Sequence, residues 1–166
     1  MSYTPPDQDG IYTHLLEFGV QLGAPINSNC IIFQRAGRSE AQLELYTYLD
    51  GETNTGVWVP ETIANYSWQL FESVTEGGLP GASAGARLFK DGVQLVAGTT
   101  YVPNIVSRRS NLIGGSNYRL QGVYESDGHF LGRIAEILVH TRNVSESERS
   151  VIENSLSWKW QVPLGH

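Results

Sequence analysis

The sequence has little cysteine and few basic residues, and both shortages limit what the protein can be. Its only cysteine, Cys30, cannot form an internal disulfide, and its position before the strand-like run IIF predicts a buried structural thiol. Eleven lysines and arginines against seventeen aspartates and glutamates give a formal charge of −6. This balance argues against nucleic acid or anionic membranes as partners, because both attract a positive surface.

Long apolar runs and a secretion signal are also missing. No apolar stretch reaches the roughly 18 residues that a membrane-spanning helix needs, so we expect no membrane insertion. The start, MSYTPPDQDG, is polar and lacks the basic-then-apolar layout of a signal peptide. We therefore expect a chain that stays in the cytoplasm, or that leaves by a non-Sec route such as release on the surface of a virion or other particle.

Catalytic and metal-binding motifs are scarce. There is no G-x-S-x-G nucleophile motif and no phosphate-binding loop. No two histidines have the spacing of a metal site; the four are His14, His129, His140 and His166. The sequence therefore predicts no required cofactor.

One strand approaches the pattern of a glycoside hydrolase, in which carboxylates alternate along a strand and converge on one bond. In EAQLE, the side chains of Glu40, Gln42 and Glu44 share a face. Hydrolysis needs two carboxyl groups about 5 to 9.5 Å apart, whereas four residues of regular strand span roughly 13 Å. Gln42, in the middle, cannot ionise. We therefore expect a solvated polar strand face and no enzyme.

Most of the chain has the pattern of short strands. Runs rich in β-branched and aromatic residues alternate with clusters of Gly, Pro, Asn and Asp. The runs are residues 11–18, 30–35, 42–49, 57–60, 68–74, 86–90, 93–98, 111–115 and 129–140. Apolar and polar residues alternate in 42–49, which predicts a strand buried on one side. Asp91 and Gly92 suit the positive φ angles of a two-residue hairpin turn.

A single helix is predicted, over about residues 145–161. Ser145 and Glu148 have the spacing of a capping box, in which each side chain bonds the backbone N–H of the other. Pro163 lies just past the periodic segment, where a helix cannot continue. The face expected to pack inward repeats every four residues and consists of Ile152, Leu156 and Trp160.

Five motifs follow one another between Ser67 and Trp160, within a resemblance that runs from about Ile11 to Val162. They include SWQLFESV, ARLFKDGVQLVAG, NLIGGSN, FLGRIAEILVHTRNVSESER and the closing LSWKW. In this order they resemble the laminin-G-like, concanavalin A-like jelly-roll family. The resemblance implies an all-β, antiparallel two-sheet jelly-roll β-sandwich with one short C-terminal helix. We expect one such domain over residues 11–166, after an extension of residues 1–10.

Glu136 is the one carboxylate in the apolar run FLGRIAEILVH. In the family that the sequence resembles, the acidic residue of this motif lies on a strand near the core and is structural. Its neighbours on the same face of a strand are Ile134 and Leu138, with no second carboxylate. Arg133 and Arg142 are its candidate charge partners. We therefore expect Glu136 to tie the fold together and not to catalyse.

Side chains suited to sugars cluster in two predicted loops, residues 50–58 and 117–127. Aromatic rings can cover the apolar face of a pyranose, amides and carboxylates can bond its hydroxyls, and loops on a rigid sandwich commonly carry binding. The same residue types also form turns, and Trp58 can equally belong to the core. The glycan-binding candidates are Asp50, Asn54, Trp58, Asn117, Tyr118, Tyr124 and Asp127.

Two further sites stay open. Relatives in the family that the sequence resembles often bind Ca²⁺ at a sandwich edge, and the loop acids Asp50, Asp91 and Asp127 could contribute, although no three acids have local ligand spacing. Trp158 lies off the predicted inner face of the helix, because a two-residue step turns about 200°. It either packs under a loop or is an exposed contact for a neighbouring subunit.

Two functions follow from these patterns. The first is a non-enzymatic, lectin-like recognition module that binds surface glycans through the two loops. The second is a structural subunit of a virion, fibre or appendage, in which the jelly roll serves protein–protein assembly within a large homo- or hetero-assembly.

Overall fold

The computed structural model describes residues 12–19, 29–36, 42–49, 53–60, 62–64, 66–115, 130 and 132–165. Regular structure within these ranges is mostly β. The strands are β1 (Tyr12–Gly19), β2 (Ile31–Ala36), β3 (Gln42–Tyr48), β4 (Asn54–Val59), β5 (Phe71–Thr75), β6 (Ser83–Lys90), β7 (Val93–Tyr101) and β8 (Ser110–Ile113). The helix is α1 (Glu146–Trp160).

Five strands form one antiparallel sheet, in the order β4-β3-β2-β1-β8. Strands β1 to β4 are joined in chain order, since β1 pairs with β2, β2 with β3 and β3 with β4. The last strand returns from far along the sequence to pair with β1, where Leu16 lies opposite Ile113. The strand over 42–48 alternates as predicted, with Leu43 and Leu45 buried. Glu44 between them is buried too, so this strand is covered on both sides and not on one.

The other sheet has the order β5-β6-β7 and includes the predicted hairpin. Asp91 and Gly92 have φ angles of 50° and 82°, as a two-residue turn with the twist of its strands requires. The carboxylate of Asp91 also accepts the backbone N–H of Leu70, at 2.7 Å. The turn is therefore attached to the segment that leads into β5.

The core lies between the two sheets, because both contribute buried apolar side chains to one cluster. Strand β7 comes close to β4: a Cβ atom added to Gly98 would lie 2.6 Å from Cγ1 of Val57. The buried hydroxyl of Thr100 donates to the carbonyl oxygen of Thr55, at 3.1 Å. The buried members of the cluster are Leu15, Leu43, Leu45, Val57, Ile63, Ala86 and Leu88.

Helix α1 begins with the predicted capping box. The hydroxyl of Ser145 accepts the N–H of Glu148, and the carboxylate of Glu148 accepts the N–H of Ser145. At the other end, Gln161 adopts a left-handed conformation with φ 54°, which stops the helix before Pro163. The prediction of a capped C-terminal helix is confirmed.

The inner face of α1 differs from the predicted one. Trp160 is exposed, and the buried residue is Glu153, with 1% of its surface accessible. Glu153 pairs with Arg149, whose guanidinium lies 4.0 Å from the ring centroid of Phe89 on β6. Glu72 on β5 lies 3.9 Å from the same guanidinium. Charged groups therefore fill the space between α1 and the smaller sheet.

The apolar run around Glu136 is not a regular strand. Residues 134–140 join no ladder with the described strands, and Glu136 is exposed. Its carboxylate accepts from Nζ of Lys159 and from the indole N–H of Trp160, at 3.0 and 2.8 Å. It does tie two parts of the chain together, but its charge partner is Lys159 and not Arg133 or Arg142.

Together the two antiparallel sheets and the terminal helix make a β-sandwich-like architecture. No helix among the described residues is long and apolar enough to cross a membrane. Jelly-roll strand connections, and the single-domain boundaries at residues 1–10 and 11–166, remain predictions.

Candidate functional site

The five-stranded sheet has a polar side, and a β-bulge in β1 shapes it. The strand register shifts between His14 and Leu16, so that Leu15 is an extra residue. Residues three apart on a regular strand point to opposite faces. The bulge instead puts His14 and Glu17 on one face, where Nδ1 of His14 lies 2.6 Å from Oε2 of Glu17. Such bulges often re-aim side chains at functional sites.

A line of polar side chains crosses three neighbouring strands next to this pair. His14 lies opposite Gln34, and Gln34 lies opposite Glu44. We call His14, Gln34 and Glu44 the polar row. Nε2 of Gln34 donates to Oε2 of Glu44 at 2.7 Å, and the amide of Gln42 donates to the other oxygen of Glu44. Both oxygens of this carboxylate are therefore held by neutral amides.

The polar row is enclosed in the fold. Only 4% of the surface of Glu44 is accessible, and His14 and Gln34 are buried as well. Burial raises the pKa of Glu44, while the hydrogen bonds from Gln34 and Gln42 and the nearby charge of His14 oppose that rise. Glu44 is thus a carboxylate with fixed geometry that is partly shielded from water.

The row ends at an aromatic surface on the edge strand β4. Trp58 lies opposite Glu44 and is 51% exposed. Tyr46 lies opposite Gly56, and a Cβ atom on that glycine would lie 2.9 Å from Cγ of Tyr46, so the ring covers the glycine. The ring centroids of Tyr46 and Tyr48 are 6.2 Å apart. We call Tyr46, Tyr48 and Trp58 the aromatic platform.

Cys30 lies near the Tyr48 end of the platform. It is buried with Ile32, and the side chains of Tyr46 and Tyr48 pack against the two. Burial, and then the nearby charge of Glu17, raise the pKa of the Cys30 thiol to about 12. A thiol in this state is a poor nucleophile at neutral pH, in keeping with the structural role that we expected.

Two of the predicted glycan-binding residues lie on this surface. Asn54 and Trp58 belong to β4, which begins three residues before the strand predicted over 57–60 and so includes much of the segment expected to be a loop. Trp58 is part of the aromatic platform, and Asn54 adjoins it because it lies opposite Tyr48. The other candidates, Asp50, Asn117, Tyr118, Tyr124 and Asp127, lie outside the described residues.

The helical candidate lies apart from this face. Trp158 is 80% exposed on α1, so it does not pack under a loop. As an exposed indole it keeps the predicted role of a contact for a neighbouring subunit.

His14, Glu17 and Gln34 were not identified from the sequence. His14 was considered only as a metal ligand. Glu17 is three residues further along the same strand, so a regular strand would place it on the opposite face from His14. The signal that groups them is the extra residue in β1, which no residue type in YTHLLEFG marks. Gln42 and Glu44 do share a face, as the test for a glycoside hydrolase assumed.

A metal site has no support among the described residues, where no three His, Cys, Asp or Glu side chains converge on one point. Of the three acids considered for calcium, only Asp91 lies in that part of the chain, and its carboxylate bonds the N–H of Leu70.

The arrangement suits hydroxyl recognition: fixed amide and carboxylate groups lie beside exposed aromatic rings. Comparisons with protein families, with curated proteins and with solved structures found no match to this chain.

Proposed function

We propose that the protein is a non-enzymatic, lectin-like recognition module that binds surface glycans on the aromatic platform of the five-stranded sheet. The carrying observation is the pairing of Trp58 with Glu44: a half-exposed indole stands directly beside a carboxylate that neighbouring amides hold in place. This proposal keeps Asn54 and Trp58 as ligand contacts and moves the site from loops to a sheet edge.

The chemistry of a sugar matches this surface. A pyranose has an apolar face of C–H groups, which favours contact with an aromatic ring, and an outer belt of hydroxyls, which need hydrogen-bond partners in a partly dry site. Tyr46 and Trp58 supply aromatic rings. Tyr48 and Asn54, which lie opposite each other beyond the pair of Tyr46 and Gly56, add a hydroxyl and an amide. Such groups, fixed on a strand, lose little freedom on binding.

Access is from the edge of the sheet. Trp58 and Asn54 on β4 are exposed, Tyr46 and Tyr48 are half-buried, and the polar row behind them is buried. A sugar ring on the platform therefore meets aromatic surface first. Behind the rings, the amides of Gln34 and Gln42 hold the carboxylate of Glu44 in place.

The carboxylates of Glu44 and Glu17 suit sugar binding better than glycoside hydrolysis. Hydrolysis of a glycosidic bond needs an acid and a nucleophile or base that both reach the bond. Glu44 is bonded through both oxygens, and Glu17 bonds His14 on the far side of β2. Both carboxylates are buried and already hydrogen-bonded, so they are not placed as the acid and base pair that hydrolysis of a bond on the platform would need.

The resemblance to laminin-G-like domains supports the same proposal, including a jelly-roll sandwich with Ca²⁺ as an optional cofactor. A location on a virion or particle surface is part of the proposal.

A purely structural role is the second candidate, because Trp158 projects from α1 with 80% of its surface exposed. An indole of this kind is a frequent anchor of protein–protein contacts. In that case the chain is a virion, fibre or appendage subunit, and Trp158 contacts its neighbour.

A glycan-array screen of the chain, with calcium and with a chelator, tests the first proposal. We expect binding to one class of sugar in the wild type and its loss in Trp58→Ala. Trp158→Ala is the matched control, since it also removes one exposed tryptophan, but from α1 and not from the platform. A silent array in both conditions, together with self-association that Trp158→Ala abolishes, would reject the lectin proposal in favour of the structural one.

A further inference from the structure

A pocket opens where the C-terminal end of α1 meets the segment that enters β5. Its walls combine two indoles, aliphatic side chains and one carboxylate. Trp68 and Trp160 are 39% and 36% exposed, so each indole presents surface to solvent. The residues that carry the argument are Trp68, Leu70, Ile134, Glu136, Leu156 and Trp160.

Glu136 gives this pocket a fixed negative charge. Its Oε2 atom accepts from the indole N–H of Trp160 at 2.8 Å and from Nζ of Lys159 at 3.0 Å. These two bonds hold the pKa of Glu136 below its usual range. Its Oε1 atom accepts no hydrogen bond from any residue that the structure describes, so this oxygen is available to a ligand.

The ammonium group of Lys159 already lies at the edge of this pocket, beside Glu136. Nζ of Lys159 lies 5.2 Å from the ring centroid of Trp160 while it bonds Glu136. A cation over an indole and beside a carboxylate is a favourable arrangement. Because Lys159 is half exposed, its ion pair is weak and easily exchanged.

The surface next to the pocket suits a polypeptide. Leu138 and Val139 follow Glu136 and are both exposed, although they are large and apolar. Residues 134–140 take part in no strand ladder with the rest of the described chain, and an extended partner can add to a segment of this kind through backbone hydrogen bonds. The formal charge of −6 favours a basic partner.

We propose that this pocket binds the guanidinium group of an arginine on an extended, basic segment of a partner protein, which displaces Lys159 from Glu136. Arginine fits better than lysine, because its planar group stacks on indoles and bonds a carboxylate through two parallel N–H groups. Displacement frees Oε2 of Glu136 from Lys159, so that both oxygens face the ligand. This pocket shares no residue with the aromatic platform.

The test uses the full chain and the capped peptide Ac-Val-Arg-Val-NH₂, with the glutamine and lysine analogues as comparisons. Binding is followed by NMR of the indole N–H of Trp160 and by tryptophan fluorescence in a Trp158→Phe background, which removes an exposed reporter outside the pocket. We expect the arginine peptide to bind at least about tenfold more tightly than the glutamine peptide.

Two variants separate the proposal from a structural role for Glu136. Glu136→Gln keeps an oxygen for the indole N–H of Trp160 but loses the charge, and we expect the arginine preference to disappear. Lys159→Gln removes the competing cation, and we expect binding to tighten by about threefold. A thermal melt of each variant verifies that it is folded.

Three results would overturn the proposal: equal binding of the arginine and glutamine peptides, weaker binding by Lys159→Gln, or no binding by either the wild type or Lys159→Gln. Preference for the lysine peptide would reject the guanidinium as ligand.

Discussion

Nδ1 of His14 and Oε2 of Glu17 are 2.6 Å apart on one face of a sheet, although the two residues are three positions apart on one strand. Regular pleating would put them on opposite faces. The extra residue Leu15 changes the parity, and its own side chain joins the core. One bulge therefore serves both the packing of the sandwich and the polar side of the sheet.

The buried contact between His14 and Glu17 predicts a stability cost for removing the carboxylate. We expect Glu17→Ala to lower the free energy of unfolding by about 1–3 kcal/mol, because it leaves the buried imidazole of His14 without this hydrogen-bond partner. Urea unfolding measures the change. Ser155→Ala, at an exposed position of α1, is the control and should change stability by less than about 0.5 kcal/mol. Equal effects of the two variants would contradict this account of the pair.

The close approach of β7 to β4 predicts that Gly98 cannot accept a side chain. In Gly98→Ala the new Cβ would lie 2.6 Å from Cγ1 of Val57, so a strand must shift, and we expect a loss of about 1–3 kcal/mol. Val57→Ala removes the obstructing methyl. The double variant should therefore lose less stability than the sum of the two single losses, as urea unfolding of all four proteins would measure. Strictly additive losses would contradict the contact.

The charged cluster under α1 predicts a dependence of stability on pH. Burial and the neighbouring Glu153 raise the pKa of Glu72 to about 8 from 4.5. A carboxyl group whose pKa is raised by folding binds its proton more tightly in the folded state, so stability falls as pH rises from about 4.5 to about 8. The slope is at most about 1.4 kcal/mol per pH unit for one proton.

Unfolding of the wild type and Glu72→Gln between pH 5 and pH 9 measures this dependence. We expect Glu72→Gln to flatten the fall and to be the more stable protein at the alkaline end. Glu148→Gln is the matched control, because bonds from Arg142 and Ser145 lower the pKa of Glu148 to about 2, outside the window. Parallel curves for the wild type and Glu72→Gln would mean that Glu72 holds no proton in the fold.

The burial of Cys30 predicts slow reaction with thiol reagents. With a pKa of about 12, only about one thiol in ten thousand is ionised at pH 8. We expect Ellman's reagent to label the native chain far more slowly than the urea-unfolded chain. Labelling at comparable rates would show that the thiol is accessible in the native state.

Local signals in the sequence predicted local structure well. Asp91 and Gly92 form the expected hairpin turn, and Ser145 and Glu148 form the expected capping box. In each case the interacting groups lie within four residues of one another, so the residue types alone specify the geometry. The alternation over residues 42–49 predicted which side of β3 faces the core for the same reason.

The candidate site was predicted only in part. Asn54 and Trp58 were selected by residue type and placed in a loop over residues 50–58, although Trp58 also lies in the strand-like run 57–60. Their position on an edge strand depends on pairing with β3. Gln34 and His14 reach Glu44 only across strand pairs, and residue types along one strand do not indicate which residue will lie opposite.

The sequence by itself determined the net negative charge, most strands, the hairpin turn and the capped helix, because these depend on residue type and short spacing. Only the tertiary structure decided that His14 and Glu17 share a face, that Glu153 and not Trp160 is the buried residue of α1, and that Glu136 bonds Lys159. The physical reason is that strand register, a one-residue bulge and the burial of charge depend on which distant segments meet. Those meetings are decided by the packing of the whole chain and not by any short stretch of it.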